Sequence, residues 1–241
     1  MRVSCRTASE VLDQVSSLIR PGITTGEIDQ AAADFMSQHG AKSAFLGYRG
    51  FPGNICISIN EEVVHGIGGS RRIQYGDIVK LDIGIIKDGW VGDTAVTVPV
   101  GVIDEKIQRL LRITEETLDR AITFAHNGRR LGDLCAAIED EVTANGYSVV
   151  REFVGHGVGR RLHEEPQVPN YGRQGSGPKL KPGMTLAIEP MVNMGGSSVR
   201  VLGDAWTVVT MDGKPSAHFE HTVLITKEAP EILTRRKKLV L

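Results

Sequence analysis

The chain of 241 residues changes its hydrophobic period three times, and this order limits the possible folds more than any single motif does. Val11, Leu12, Val15, Leu18 and Ile19 recur at helical spacing behind Thr7-Ala8-Ser9-Glu10, which has capping-box spacing, and Pro21-Gly22 ends the segment. Thr24-Thr25-Gly26-Glu27 repeats the start signal, with Ile28, Ala31, Ala32, Phe35 and Met36 as the apolar stripe and Gly40 as the stop. β-Branched alternation cut by glycine turns then predicts strands over 55–59, 78–86 and 90–98. Helical spacing returns at Ile107, Leu110, Leu111, Leu118 and Ile122, and again at Leu134, Ile138 and Val142 ahead of Gly146. Strands follow over 147–153, 185–192, 205–211 and 217–226, with an Asp212-Gly213 turn between the last two. Two helices then strands, stated twice, predict an α+β chain of two similar halves sharing one sheet, roughly 1–125 and 126–241. A local echo agrees: Gly76 precedes Asp82, and Gly183 precedes Glu189, by the same six residues through an apolar run.

Composition narrows the function classes. Lys plus Arg is 28 against 29 for Asp plus Glu, so no overall basic field exists to hold DNA or an anionic membrane. Cys5, Cys56 and Cys135 form no C-x-x-C pair, which argues against a disulfide framework or a thiolate zinc site and for a reducing compartment. The amino terminus has no apolar segment behind Arg2, and no run of about 18 apolar residues occurs, so the reading is a cytoplasmic protein. The basic run Arg235-Arg236-Lys237-Lys238 reads as a solvated tail, with weak contact to ribosomal RNA as the alternative.

The chemistry lies in carboxylates placed where a core is expected. Asp82 interrupts Val79-Lys80-Leu81-Asp82-Ile83-Gly84-Ile85-Ile86, and Asp93 interrupts Trp90-Val91-Gly92-Asp93-Thr94-Ala95-Val96. A two-residue loop at Lys87-Asp88 or at Asp88-Gly89 puts both on one face of a hairpin, directly opposite or one pair apart. Unpaired like charges oppose that pairing, and burying either is costly unless it is neutralised or coordinated. A divalent cation resolves the conflict; solvent-facing strand positions are the alternative. Glu189, in Leu186-Ala187-Ile188-Glu189-Pro190-Met191, and Glu220, ahead of Thr222-Val223-Leu224-Ile225, repeat the pattern. His156, in Gly155-His156-Gly157-Val158-Gly159, adds an imidazole on a loop whose glycines admit close approach of a ligand. Four carboxylates and one imidazole suit two divalent ions bridged by shared oxygens rather than structural zinc. The glycines lack the Lys-Ser/Thr of a phosphate loop, His163-Glu164-Glu165-Pro166 is not H-E-x-x-H, and no G-x-S-x-G is present.

The order Asp82, Asp93, His156, Glu189, Glu220, with Gly66-Ile67-Gly68 after His65 and Gly157-Val158-Gly159 after His156, resembles that of type I methionine aminopeptidases, from about Thr7 to Thr226. The resemblance implies the pita-bread (creatinase/aminopeptidase) fold, in which two related halves cover a curved antiparallel sheet with helices and hold two divalent metal ions between them; an oxygen-rich site with one imidazole admits iron, manganese or cobalt, and the sequence does not choose among them. It implies that Asp82 chelates one ion, that Asp93 and Glu220 bridge both, and that His156 and Glu189 complete the second. Glu189, His163 and His65 become the catalytic set: a proton shuttle and two histidines at the substrate amide and carbonyl. Tyr48, Phe51, Cys56, His65 and Trp206 map to the methionine pocket, though by composition such aromatics belong to a core. Phe45 and Leu162 depart from the residues common in bacterial members and alter that pocket's outline. Asn60 and Ser216 map to a monovalent-cation site, for sodium or potassium.

The interval from His163 to Glu189 leaves no room for the helical insertion of type II members, and the chain starts near its first helix, so a short bacterial form without extension domain is expected. The implied activity is hydrolysis of the first peptide bond by a metal-generated hydroxide, removing initiator methionine from deformylated nascent chains when the second residue is small. The expected enzyme is a monomer without DNA or membrane partners. The alternatives are a proline-specific aminopeptidase or prolidase of the same fold, and a catalytically silent peptide-binding relative.

Overall fold

The computed structural model describes residues 1–236, so Lys237 and Lys238 of the basic run lie outside the described residues. The chain runs α1 (Arg2–Ser17), α2 (Thr25–Gln38), β1 (Lys42–Ser43), β2 (Cys56–Ile59), β3 (Glu62–Val64), β4 (Ile78–Lys87), β5 (Trp90–Pro99), α3 (Glu105–Ile122) and α4 (Leu131–Ala144). It continues with β6 (Ser148–Val149), β7 (Gly155–Gly157), β8 (Glu164–Val168), β9 (Thr185–Ile188), β10 (Met191–Asn193), β11 (Val199–Val201), β12 (Val208–Thr210), β13 (Ser216–His218), β14 (Glu220–Leu224) and β15 (Glu231–Ile232).

The four expected helices form. At α2, Thr24 and Glu27 make the reciprocal capping box, and at α3 the Asp104 carboxylate accepts the Lys106 N–H. Helix α1 differs: it starts at Arg2, and Thr7 and Ser9 of the expected cap are buried inside it. The small and apolar stripe extends back through Ser4, Cys5 and Ala8, and packing against the sheet outweighs the local start signal.

The large sheet has the order β1-β4-β5-β14-β9-β7-β8, with β2 also on β4 and β15 on β14, all antiparallel. The β4–β5 hairpin turns through Asp88 and Gly89, both at positive φ, and pairs Asp82 with Ala95 and Asp93 with Gly84. The two carboxylates therefore share a face, one pair apart. Leu81, Ile83 and Ile85 point the other way and join Val11, Leu12, Leu110, Leu118, Leu186 and Ile188 in the main core.

Several strands are shorter or differently placed than the periodicity predicts. The run 147–153 yields only β6, and 185–192 splits into β9 and β10, which belong to different sheets. Pro190 has no N–H to continue the ladder, so Glu189 falls at the break. The run 205–211 shrinks to β12, and 217–226 divides at Phe219 into β13 and β14. Gly213 does take positive φ in a turn, but β12 pairs with β11 and β3 while β13 pairs with β10, so the turn makes no hairpin. The short strands β7, β8 and β11 carry no clear sequence signal: β7 is Gly-His-Gly and β8 contains Pro166.

A set of backbone contacts occurs twice. Gly22 and Gly128, both at positive φ, donate to the Ile73 and Leu180 carbonyls. The first-turn N–H groups of Thr25 and Leu131 reach the Arg71 and Pro178 carbonyls, and Gly26 and Gly132 reach those of Gly69 and Ser176. Gly76 and Gly183 both have positive φ six residues before Asp82 and Glu189. The two stretches meet where β5 pairs with β14, Ala95 opposite Glu220 and Thr94 opposite His221.

Gly92 fixes the depth of the first helix on this sheet. A methyl group there would lie 2.6 Å from the Ser4 carbonyl oxygen and 2.8 Å from the Cys5 Cα, both backbone atoms that cannot swing away. Gly92→Ala should therefore lift α1 off β5 and lower stability by about 1–3 kcal/mol in denaturant melts; an unchanged midpoint would reject this packing account.

Candidate metal centre and its pocket

Asp82 on β4, Asp93 on β5 and Glu220 on β14 place carboxylate oxygens within 4.8 Å of one another. Asp93 and Glu220 are buried, and Asp93 Oδ1 and Glu220 Oε1 have no hydrogen-bond partner among the described residues. Glu189, at the end of β9, and His156, on β7, close the group: His156 Nε2 lies 3.7 Å from Asp93 Oδ2 and 3.7 Å from Glu189 Oε1. His156 Nδ1 is 2.9 Å from its neighbour's carbonyl at Gly157. Donation there fixes the ring hydrogen on Nδ1 and leaves the Nε2 lone pair directed at the carboxylates.

Electrostatics shows what the group lacks. Burial pushes the Asp82 carboxyl up to about 7 and that of Glu189 up to about 8. Burial and the mutual repulsion of these acids hold Asp93 and Glu220 well above the usual carboxylate range. Burial also drives the His156 imidazole down to about 4, so the ring beside the cluster does not supply a balancing positive charge. Orphaned buried oxygens, repelling carboxylates and an available imidazole lone pair are the donor set of a hard or borderline divalent ion, and these residues fit one.

The cluster floors a cavity of about 640 Å³ lined also by Phe45, Tyr48, Phe51, Cys56, His65, Leu162, His163 and Trp206, so the expected pocket and metal residues come together. Cys56 pairs with Asp82 across β2 and β4, and the Phe45 ring sits directly over Gly84, where a β-carbon would collide with it. Trp206 meets the edges of Phe51 and His65, with ring centroids 5.1 and 6.2 Å away. Tyr48 Oη is 2.7 Å from His163 Nδ1, and the His163 ring stands edge-on to His156 at 4.2 Å. Burial lowers both outer histidines, His65 to about 4, so they face the cavity as neutral rings.

Two residues escape the sequence reading. His218 is fully buried, with Nε2 3.4 Å from Glu189 Oε2; the alternation Ser216, His218, Glu220 is its available signal. Lys80 is the other, and it bears on Asn60 and Ser216, which do not line the cavity. The Lys80 ammonium donates to both of their backbone carbonyls, at 2.7 and 2.8 Å.

Comparison with known proteins agrees with this geometry. Residues 1–227 match the model of metallopeptidase family M24. The methionine aminopeptidase of Clostridium perfringens is 51% identical over 97% of this chain and 94% of its own length, and that of Escherichia coli is 48% identical over 98% and 90%. The solved methionine aminopeptidase of Thermotoga maritima superimposes with a TM-score of 0.96 at 45% identity, covering 98% of this chain and 95% of that one. The prolidase of Pyrococcus furiosus, 24% identical, shares the fold with a TM-score of 0.79 over 98% of this chain and 63% of its own. The fold is the pita-bread arrangement common to these enzymes. With matched residues spanning both helix pairs and all five members of the acidic centre, the chain belongs to metallopeptidase family M24 and to its methionine aminopeptidases.

Proposed function

We propose that this chain removes the initiator methionine from peptides and nascent proteins whose second residue is small. The observation that carries the reading is the buried acidic centre with orphaned oxygens at the floor of a cavity whose wall includes Phe45, Phe51, Cys56 and Trp206. In this reading Asp82, Asp93, His156, Glu189 and Glu220 would hold the divalent ions, with Asp93 and Glu220 as the carboxylates they would share. Bound there, such ions lower the pKa of a water and polarise the scissile carbonyl.

The chain's own residues do the rest. The Glu189 carboxylate takes the proton released at the attacking water and passes it to the leaving nitrogen. With the Tyr48 hydroxyl donating to Nδ1, the neutral His163 ring carries its hydrogen on Nε2 and donates to the carbonyl oxygen as charge develops there. His65 supports the substrate amide. Tyr48, Phe51, Cys56 and Trp206 receive the methionine side chain, with Phe45 and Leu162 shaping its wall. Iron, manganese and cobalt all suit an oxygen-rich site with one imidazole. We read the chain as one catalytic domain of two related halves, roughly 1–125 and 126–241, on the strength of the contacts that recur around Gly22 and Gly128. We also read it as a monomer of the cytoplasm, acting on deformylated chains with at most weak ribosome contact.

Peptide cleavage tests this reading. Met-Ala-Ser should be hydrolysed, while formyl-Met-Ala-Ser, which lacks a free amine, and Met-Lys-Ser should not; preference for Ala-Pro-Ser would favour a proline-specific enzyme instead.

Two variants separate the roles. Asp93→Ala should lose metal and activity together, because the remaining carboxylates under-neutralise two close cations. His163→Ala should keep its metal and lose about 30-fold to 1000-fold in turnover, equivalent to roughly 2–4 kcal/mol of transition-state stabilisation. Metal analysis beside turnover at saturating metal reads both; severe metal loss in the His163 variant would reject its assignment.

The raised carboxyls make metal binding pH-dependent. A carboxyl whose folded pKa is raised stabilises the metal-free fold below its ordinary value, and that contribution is lost as pH climbs through the raised one. For Asp82 and Glu189 that loss builds from the ordinary carboxylate range and is complete by about 7 and about 8. Metal displaces those protons, so the rise in melting midpoint on adding Mn²⁺ should grow from about pH 6 to about pH 9. Calorimetry in buffers of different ionisation enthalpy should show proton release shrinking over the same range; a flat profile would contradict the shifts.

A further inference from the structure

Lys80 is the largest fully buried side chain among the described residues, with 1% of its surface exposed, and it takes no part in the chemistry above. Its stem runs on the same face of β4 as Asp82, and its ammonium ends between two backbone oxygens from distant segments, Asn60 O at 2.7 Å and Ser216 O at 2.8 Å. Both oxygens are held in place. Asn60 has a left-handed backbone, with φ of 53°; its Oδ1 accepts the Ile78 N–H and its Nδ2 donates to Asp77 Oδ1. The Ser216 N–H donates to Asn60 O, and the Ser216 hydroxyl donates to Asn193 Oδ1 on β10 at 2.8 Å. Burial pulls the Lys80 ammonium down to about 7, and the negative charge of Glu62, Glu61 and Asp77 acts against that pull in favour of the cation.

Rigid carbonyls converging on a dry point amid acids make a seat for a small monovalent cation. Asn60 and Ser216 are the residues that the family resemblance maps to such an ion, yet any ion meeting these two oxygens would have to occupy the position of the ammonium itself. The residues present do not fit a free ion. We propose that the Lys80 ammonium is a tethered replacement for that cation, joining the 59–61 turn to β13, so that this protein neither binds nor needs sodium or potassium at this junction. Lys80 is thus a positioning residue: it ties β4, two residues before Asp82, to β13, two residues before His218.

The test reads stability, so it succeeds or fails independently of the peptidase reading. Melting midpoints are measured in KCl, NaCl and choline chloride at equal ionic strength, choline being too bulky for the seat. The wild-type midpoint should move by less than about 1 °C among the salts. Lys80→Asn, which removes the charge and opens room for an ion, should melt about 4–8 °C lower in choline and recover more than half of that loss, saturably, in K⁺ or Na⁺. Lys80→Met fills the seat with a side chain that carries no charge, so it should be destabilised without rescue. Saturable stabilisation of the wild type by K⁺ or Na⁺ would overturn the proposal, as would a folded Lys80→Asn that ignores all three salts, or rescue of Lys80→Met. Should neither variant fold, the wild-type series decides alone: a cation-independent midpoint upholds the proposal and a cation-dependent one rejects it.

Discussion

Four carboxylates gathered in the dry centre of one sheet are the constraint on which the rest of this structure depends. Asp82 and Asp93 come from the hairpin β4–β5, Glu189 from just past the end of β9 and Glu220 from β14, and the β5–β14 pairing brings the two pairs together. Burial raises the proton affinity of all four, Asp82 and Glu189 raise that of Asp93 further, and all three raise that of Glu220. The sheet imposes the arrangement regardless, because its opposite face buries Leu81, Ile83, Leu186, Ile188 and Val223 under the helices. Hydrophobic burial on one face thus holds the electrostatic conflict on the other, and an external cation is what relieves it.

The histidines around the centre follow from the same dryness. His65, His156 and His218 are all driven down to about 4, chiefly by burial, so at neutral pH they are lone-pair donors or N–H donors rather than competing cations. A charged imidazole at His156 would partly neutralise the carboxylates and weaken their hold on a metal. Neutrality also suits His163, whose ring can present an N–H to a developing negative charge without carrying a charge of its own into the pocket.

Much of this is readable along the chain, for identifiable reasons. The helices of the second half and α2 carry strong periodicity with start or stop signals, and the Asp88-Gly89 turn fixes the register that puts Asp82 and Asp93 on one face. What fails to show is decided by tertiary packing. Thr7 and Ser9 mimic a cap but lie inside α1, because Gly92 lets the helix continue down onto the sheet. The break at Glu189 is visible in Pro190, but the transfer of β10 to another sheet is not. His218 and Lys80 are hidden for a different reason: each occupies an ordinary strand position, and only the meeting of segments 136 residues apart in sequence gives the Lys80 ammonium its second acceptor.

The two recurring stretches also show how equivalent positions diverge. Asp82 and Glu189 each follow a positive-φ glycine by six residues, yet Asp82 lies in the middle of a ten-residue strand while Glu189 lies just past the end of a four-residue one. Strand pairing on both sides, with β2 and β5, holds the Asp82 backbone, and its short side chain leaves little freedom. Glu189 has an extra methylene, a following proline that stops the ladder, and His218 beside one oxygen with His156 beside the other. A group that only holds a cation is best fixed; one that accepts and returns a proton must swing between partners. The difference in backbone support therefore favours the proton-handling role we propose for Glu189, beside its part in holding a cation, over the same role for Asp82.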